Sequence, residues 1–165
     1  MLNFVLCDDN QSILNKLKKM IESILIQNNL SGEIVFTATT PNDIINYTEN
    51  NQYDVLILDI DLKSELSGLS LANNIRKTNK KAYIIFTTAH LEYTMVAYKY
   101  KTFDFLAKPI TTERLEETIL RLYDDVYSDS SNFIKIDKKN GFANVGIYNE
   151  KINKGLLISY SKETL

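Results

Sequence analysis

A doubly wound α/β fold, built on a five-stranded parallel sheet with a short β tail behind it, is what this 165-residue sequence predicts. Three observations carry the prediction. Five short apolar runs alternate with stretches whose apolar residues recur at helical spacing. The runs are apolar along their whole length, as strands buried on both faces are. Strict alternation of strand and helix places a parallel sheet between helical layers, and right-handed crossovers then leave few topologies.

The first run, Leu2-Asn3-Phe4-Val5-Leu6-Cys7, stops at Asp8-Asp9 and reads as a buried strand. Ile13, Leu14, Leu17, Ile21, Ile24 and Leu25 then share one helical face. Ile34-Val35-Phe36 is the second strand. Thr40 is placed to cap the next helix, and Pro41 suits its first position. The third strand runs from Tyr53 to Leu58 and ends at Asp59. A loop holding Gly68 leads to Leu69, Leu71, Ala72 and Ile75, another helical face. Ala82–Phe86 is the fourth strand, ending at Thr87-Thr88, and residues 91–100 read as a short helix. Phe103–Leu106 is the fifth strand, closed by Lys108-Pro109, and Leu115, Ile119, Leu122 and Val126 form the last amphipathic face. Residues 127–132 are polar and read as a linker. Beyond them, Phe133–Ile136 and Phe142–Ile147 flank Asn140-Gly141, a strong hairpin signal. The expected organisation is a domain over 1–126, a linker over 127–132 and a β-hairpin tail over 133–165.

Composition narrows the function classes. The apolar fraction of 44% is ordinary for a globular chain. No stretch approaches the roughly 20 unbroken apolar residues of a membrane span. The N-terminus has no basic region and no small-residue cleavage site, so it does not read as a signal peptide. The only cysteine, Cys7, cannot form an internal disulfide and fits a reducing cytosol, so a cytoplasmic location is expected. Residues 1–131 hold 13 Lys+Arg and 18 Asp+Glu, while residues 132–165 hold 6 and 3. An acidic body and a mildly basic tail agree with two modules, and equally with chance variation on a solvated surface. Three excess tail charges are too few to assert nucleic-acid binding.

The chemistry sits at C-terminal strand ends. Strand one ends in Asp8-Asp9, strand three in Asp59, strand four in Thr87-Thr88 and strand five in Lys108. In a doubly wound sheet these ends converge on one crevice near the switch point. Three carboxylates packed together repel one another and favour a hard divalent cation, and Mg²⁺ prefers oxygen ligands. Asp9 and Asp59 are the expected direct ligands, Asp8 binds directly or through water, and a backbone carbonyl near Asp61 completes the set. Phosphoryl transfer needs mainly positioning and electrostatic stabilisation. Lys108 is placed to pair with phosphoryl oxygens, and the Thr88 hydroxyl to donate to another.

This set, Asp8-Asp9, Asp59, Thr88 and Lys108-Pro109 in that order, resembles the response-regulator receiver family over roughly residues 1–126. The segments Leu58–Leu62, Thr88-Ala89-His90 and Asp104–Pro109 look like the branch whose output is a LytTR-type DNA-binding domain. The resemblance implies a flavodoxin-like receiver rather than an enzyme, phosphorylated on Asp59 with Mg²⁺ by a sensor histidine kinase. It implies that Thr88 then moves inward and Phe105 follows, with a signalling face on the fourth helix, fifth strand and fifth helix. It further implies a cis bond at Pro109, a possible homodimer, and an output in transcription regulation. Two features depart from the family pattern: Lys63 stands where a proline is usual, and Gly68 lies nine residues after Asp59, one more than usual. The tail resembles only the first strands of a LytTR domain. With 33 residues after Asn132, against about 100 for a typical domain, DNA contact is expected only through a LytTR domain that is incomplete here.

Other readings compete. A stand-alone receiver would act through protein–protein interaction without DNA. Asp59-Ile60-Asp61 is also the D-x-D of haloacid-dehalogenase-type phosphatases, although in that family it follows the first strand. Asp59 can cap a turn and Asp8 the first helix. His90 reads as a surface or capping residue, and Cys7 as an apolar filler. Tyr98 and Tyr100 with Lys99 and Lys101 either form a partner surface or are half-buried helix residues.

Overall fold

The computed structural model describes residues 1–64, 66–93, 98–128, 133–139, 142–149 and 154–160, with side chains to residue 127. The chain divides into two compact units, Met1–Thr118 and Ile119–Leu165.

The first unit is built on five strands: β1 (Leu2–Cys7), β2 (Gly32–Ala38), β3 (Val55–Asp59), β4 (Tyr83–Thr88) and β5 (Asp104–Ala107). All pair in parallel, in the order β2-β1-β3-β4-β5. The helices are α1 (Gln11–Gln27), α2 (Pro41–Asn50), α3 (Gly68–Thr78) and α4 (Thr112–Ser128). The connection β1 to β2 runs one way along the sheet, whereas β2 to β3 and β3 to β4 run the other way. Right-handed crossovers therefore put α2 and α3 on one face and α1 on the opposite face. Burial agrees. Val5, Cys7, Leu56, Leu58, Ile84 and Phe86 form one core with Ile44 of α2 and Leu71, Ala72 and Ile75 of α3. The alternate residues Phe4, Leu6, Val55, Ile57 and Ile85 point the other way and are equally buried. This double burial is why the strands are apolar throughout.

Helix starts follow local capping. Thr40 Oγ1 accepts the Asp43 amide at 3.3 Å, with Pro41 in the first turn. At α1 the cap is Asn10, not Asp8: Asn10 Oδ1 accepts the Ser12 and Ile13 amides at 2.9 and 3.3 Å. Asp8 lies two residues too early and instead takes the Asn10 amide at 2.9 Å.

Two stretches differ from expectation. Within the expected helix at residues 91–100, the described residues form 3₁₀ turns at Leu91–Tyr93 and Tyr98–Tyr100, and 94–97 lie outside the described residues. Lys101, just after the second turn, stands in the left-handed region at φ 51, where a helix cannot continue. At the other end, α4 continues to Ser128, so the first two residues of the expected linker are helical. Tyr127 stacks on Tyr123 one turn earlier, with centroids 6.1 Å apart, a contact that favours the extra turn. Residues 129–132 lie outside the described residues.

The second unit holds β6 (Phe133–Lys139), β7 (Phe142–Asn149) and β8 (Lys154–Tyr160), an antiparallel sheet in chain order. Lys139 and Phe142 are register partners; Asn140-Gly141 between them lies outside the described residues. The third strand, β8, was not anticipated from sequence.

At the edge strand β5, Asp104 is held by a network that sequence did not reveal. Arg114 Nη2 donates to both its oxygens at 2.8 and 3.0 Å, and buried Thr118 Oγ1 donates to Oδ2 at 2.6 Å. Burial pushes the Asp104 carboxyl up, but hydrogen bonds from Thr118, the Phe105 amide and Arg114 outweigh it and hold the carboxyl below its usual range. A depressed carboxyl contributes stability that is present above about pH 4 and is lost as pH falls. Thr118→Val is expected to lower the unfolding free energy by about 1–3 kcal/mol, read by urea denaturation at pH 7. The deficit should shrink at pH 3; a constant deficit would mean that Thr118 matters only through packing.

Candidate functional site

Four strand ends build the site. Asp8 follows β1, Asp59 closes β3, Thr88 closes β4, and Lys108 follows β5. The sheet order brings them side by side: Asp59 is register partner to Thr87, and Thr88 to Ala107. Backbone bonds fix the rim. The Asp8 amide donates to Ala38 O at 3.3 Å, the Ile60 amide to Thr87 O at 3.0 Å, and the Lys108 amide to Thr88 O at 2.8 Å. The Lys108–Pro109 bond is cis.

Asp8 and Asp59 are each 2% exposed, and Asp9 is half-buried. Each of the three offers an oxygen within 4.8 Å of the others. Ligands on opposite sides of a Mg²⁺ ion, each at about 2.1 Å, lie about 4.2 Å apart, so this oxygen-only set fits one such ion. Lys108 Nζ reaches Asp8 Oδ2 at 2.7 Å and Asp59 Oδ2 at 2.8 Å. One ammonium thus serves two buried carboxylates. Burial alone lowers the Lys108 pKa, but its hydrogen bonds to Asp59 and Asp8 more than offset this and hold the ammonium charged. Burial pushes the Asp59 carboxyl above its usual range, against the pull of Lys108 and the Asp61 amide, and Asp8 adds to the rise. The pocket carries more negative charge than Lys108 neutralises, which is the condition a divalent cation meets.

Asp61 opens the loop after β3. Its amide donates to Asp59 Oδ1 at 3.2 Å, so Asp59 anchors the turn as well as facing the pocket. The Asp61 carboxylate accepts the Thr88 hydroxyl at 2.9 Å. Lys63 Nζ stands 3.5 Å from Asp9 Oδ2, but its side chain is 89% exposed, a screened surface pair. Phe105 is half-buried, its ring 5.6 Å from that of Phe86.

The bland residues stay bland. His90 is exposed and pairs with Glu92 at 3.2 Å. Cys7 is buried, and burial with the neighbouring carboxylates pushes its thiol to about 12, so it is no nucleophile at neutral pH. Tyr100 is half-buried against the core while Lys99 is exposed. Sequence also missed Arg76 of α3. Its guanidinium donates to the carbonyls of Tyr100, Ala82 and Lys101 at 2.8, 2.6 and 3.0 Å, tying α3 to the segment before β5.

A 2-1-3-4-5 parallel sheet with an acidic, cation-ready pocket at its switch point places the molecule in the flavodoxin-like class. The chain belongs to the response regulator receiver domain family, whose profile matches residues 4–120. It is 33% identical over 100 residues to the transcriptional regulatory protein YpdB of Escherichia coli, covering 61% of this chain and 41% of that protein. It is 33% identical over 96 residues to the sensory transduction protein LytR of Staphylococcus saprophyticus, covering 54% and 37%. The chain thus spans about two fifths of the length of the curated relatives it matches. Among solved structures, the response regulatory domain of MrkE from Klebsiella pneumoniae superimposes with a TM-score of 0.67 at 25% identity, covering 74% of this chain and 96% of that one. The response regulator TrrA of Thermotoga maritima, solved with Mg²⁺ and BeF, gives 0.64 at 28% identity, covering 74% and 99%. Among the described residues, no helix is long and apolar enough to cross a membrane.

Proposed function

We propose that Asp59 accepts a phosphoryl group from a sensor histidine kinase in a Mg²⁺-dependent reaction, and that this switches a cytoplasmic two-component regulator of transcription. The observation that carries the proposal is the Asp8–Asp9–Asp59 oxygen cluster with Lys108 Nζ 2.8 Å from Asp59. Asp8, Asp9 and Asp59 would hold the ion, with the Asp61 backbone carbonyl completing the protein's share. Bound there, Mg²⁺ supplies charge neutralisation for the incoming phosphoryl oxygens. An Asp59 carboxylate oxygen forms the new P–O bond as the donor's P–N bond breaks and the imidazole departs. Lys108 turns from carboxylate to phosphoryl oxygens, and the Thr88 hydroxyl donates to another. Phe105, stacked on Phe86 two strand positions before Thr88, is placed to follow that movement. The relatives named as transcriptional regulators support an output in gene control. In this reading residues 1–126 are the receiver, the chain pairs with a second copy when switched, and DNA is contacted through a LytTR domain whose opening strands residues 133–165 resemble.

Intact-protein mass after incubation with acetyl phosphate tests the site. One phosphoryl group should be gained with Mg²⁺ and none without it, and Asp59→Asn should gain none. Equal labelling of Asp59→Asn, or no labelling of a folded wild type, would overturn the proposal.

A further inference from the structure

Asp61 supplies a carboxylate that takes no part in the three-oxygen cluster of Asp8, Asp9 and Asp59. It is committed elsewhere. Thr88 Oγ1 donates to Asp61 Oδ2 at 2.9 Å and accepts the His90 amide at 2.9 Å. Thr88 is 0% exposed, so no bulk water competes for its hydroxyl. A threonine hydroxyl carries a single proton to donate. A second acceptor, His90 O, is neutral and lies farther away at 3.3 Å, and hydrogen bonds to a carboxylate are about twice as strong as those to neutral acceptors.

We infer that the Asp61 carboxylate is a latch: it sequesters the one hydroxyl proton that Thr88 must give to a phosphoryl group on Asp59, and so holds the unphosphorylated site in its resting arrangement. The inference rests on the proposed role of Asp59. The transfer is then an exchange between two anionic acceptors. Phosphorylated Asp59 would carry about 1.5–2 negative charges in place of the carboxylate's one, spread over three new oxygens, and Asp59 Oδ1 is already within 3.2 Å of the Asp61 amide. That charge both attracts the Thr88 hydroxyl and repels the Asp61 carboxylate. Before phosphorylation nothing displaces the hydroxyl, so premature switching is suppressed. Asp61 is a positioning residue here, acting through Thr88; the D-x-D spacing serves the switch rather than a general acid.

Beryllofluoride, with saturating Mg²⁺, is the probe. It is titrated into the full chain and into Asp61→Ala, Asp61→Asn, Thr88→Val and the Asp61→Ala/Thr88→Val double variant, followed by amide resonances. In the wild-type background, Asp61→Ala should tighten binding about tenfold, the scale of one hydrogen bond to a charged group, with Asp61→Asn in between. In the Thr88→Val background the same change should tighten it only about twofold, the remainder being relief of like charge. The His90 amide resonance, which reports the Thr88 oxygen, should shift in ligand-free Asp61→Ala. An equal gain in both backgrounds, or no gain in Asp61→Ala while the wild type binds, would overturn the latch alone. A folded wild type that binds no beryllofluoride would overturn the role of Asp59 and the latch with it.

Discussion

Lys108→Ala is expected to lower the unfolding free energy of the metal-free protein by about 2–4 kcal/mol, and Mg²⁺ is expected to narrow the gap. The lysine stands between two carboxylates that are almost wholly buried, 2.7 and 2.8 Å from its nitrogen. Without it, Asp8 and Asp59 face each other as like charges out of contact with water. The sign with pH follows from Asp59. A carboxyl raised above its unfolded value holds its proton more tightly in the folded state, so its ionisation costs stability as pH rises through the folded value. Lys108 limits that rise. The deficit of Lys108→Ala should therefore be largest near neutrality and shrink in acid, as Asp59 takes up its proton. Mg²⁺ binds the folded form and stabilises by mass action, about 2.7 kcal/mol at a hundredfold excess over Kd, and it should bind the variant more tightly because no ammonium competes for Asp8 and Asp59. Urea denaturation at pH 7 and pH 4, with and without Mg²⁺, reads all of this. A deficit indifferent to both would show that only the packing of the lysine stem matters.

Gly68→Ala is expected to cost about 1–3 kcal/mol and to weaken Mg²⁺ binding together with it. A Cβ at Gly68 would run into the carbonyl oxygen and carbon of Asp59 and the Cα of Ile60, all backbone atoms that cannot rotate aside. The Gly68 amide also donates to Ile60 O at 3.1 Å, drawing the start of α3 onto the end of β3. The only relief is to move the strand end that carries Asp59. Helix propensity pulls the other way, favouring alanine by up to about 1 kcal/mol, so a more stable variant with unchanged Mg²⁺ affinity would refute the close approach. Urea denaturation paired with Mg²⁺ calorimetry decides the matter.

Most of the fold was legible because it rests on patterns that local chemistry sets. Apolar runs ending in aspartate, threonine or lysine mark the strands and their C-terminal ends together, and the handedness of crossovers fixes which ends meet. Thr40-Pro41 announced α2 by its own hydrogen bond and ring. What stayed hidden depends on partners distant in the chain. The Asp61 side chain meets Thr88 27 positions later, whereas sequence offered Asp61 as a carbonyl ligand or as the second carboxylate of a D-x-D. Arg76 reaches carbonyls 24 and 25 positions on, and Arg114 and Thr118 close on Asp104 across a turn. Polar side chains on amphipathic helices look alike in sequence whether they meet solvent or a carboxylate. Asp8 and Asn10 are both good capping types, and the helix start at Gln11 is what makes Asn10 the cap. In the tail, Asn140-Gly141 pointed to two strands, while the third carried no comparable turn signal.

The lysine that completes the pocket is separated from Asp8 by 100 positions, and this orders events on the ribosome. Strands β1 to β4 and all three acidic positions leave the exit tunnel before Lys108 does. At about 5–20 residues per second, the 49 residues from Asp59 to Lys108 take about 2–10 s to synthesise. During that interval all three acidic positions have been made and their lysine has not. The pocket is therefore complete only once the segment that follows β5 has been made, whatever the strands before it have done.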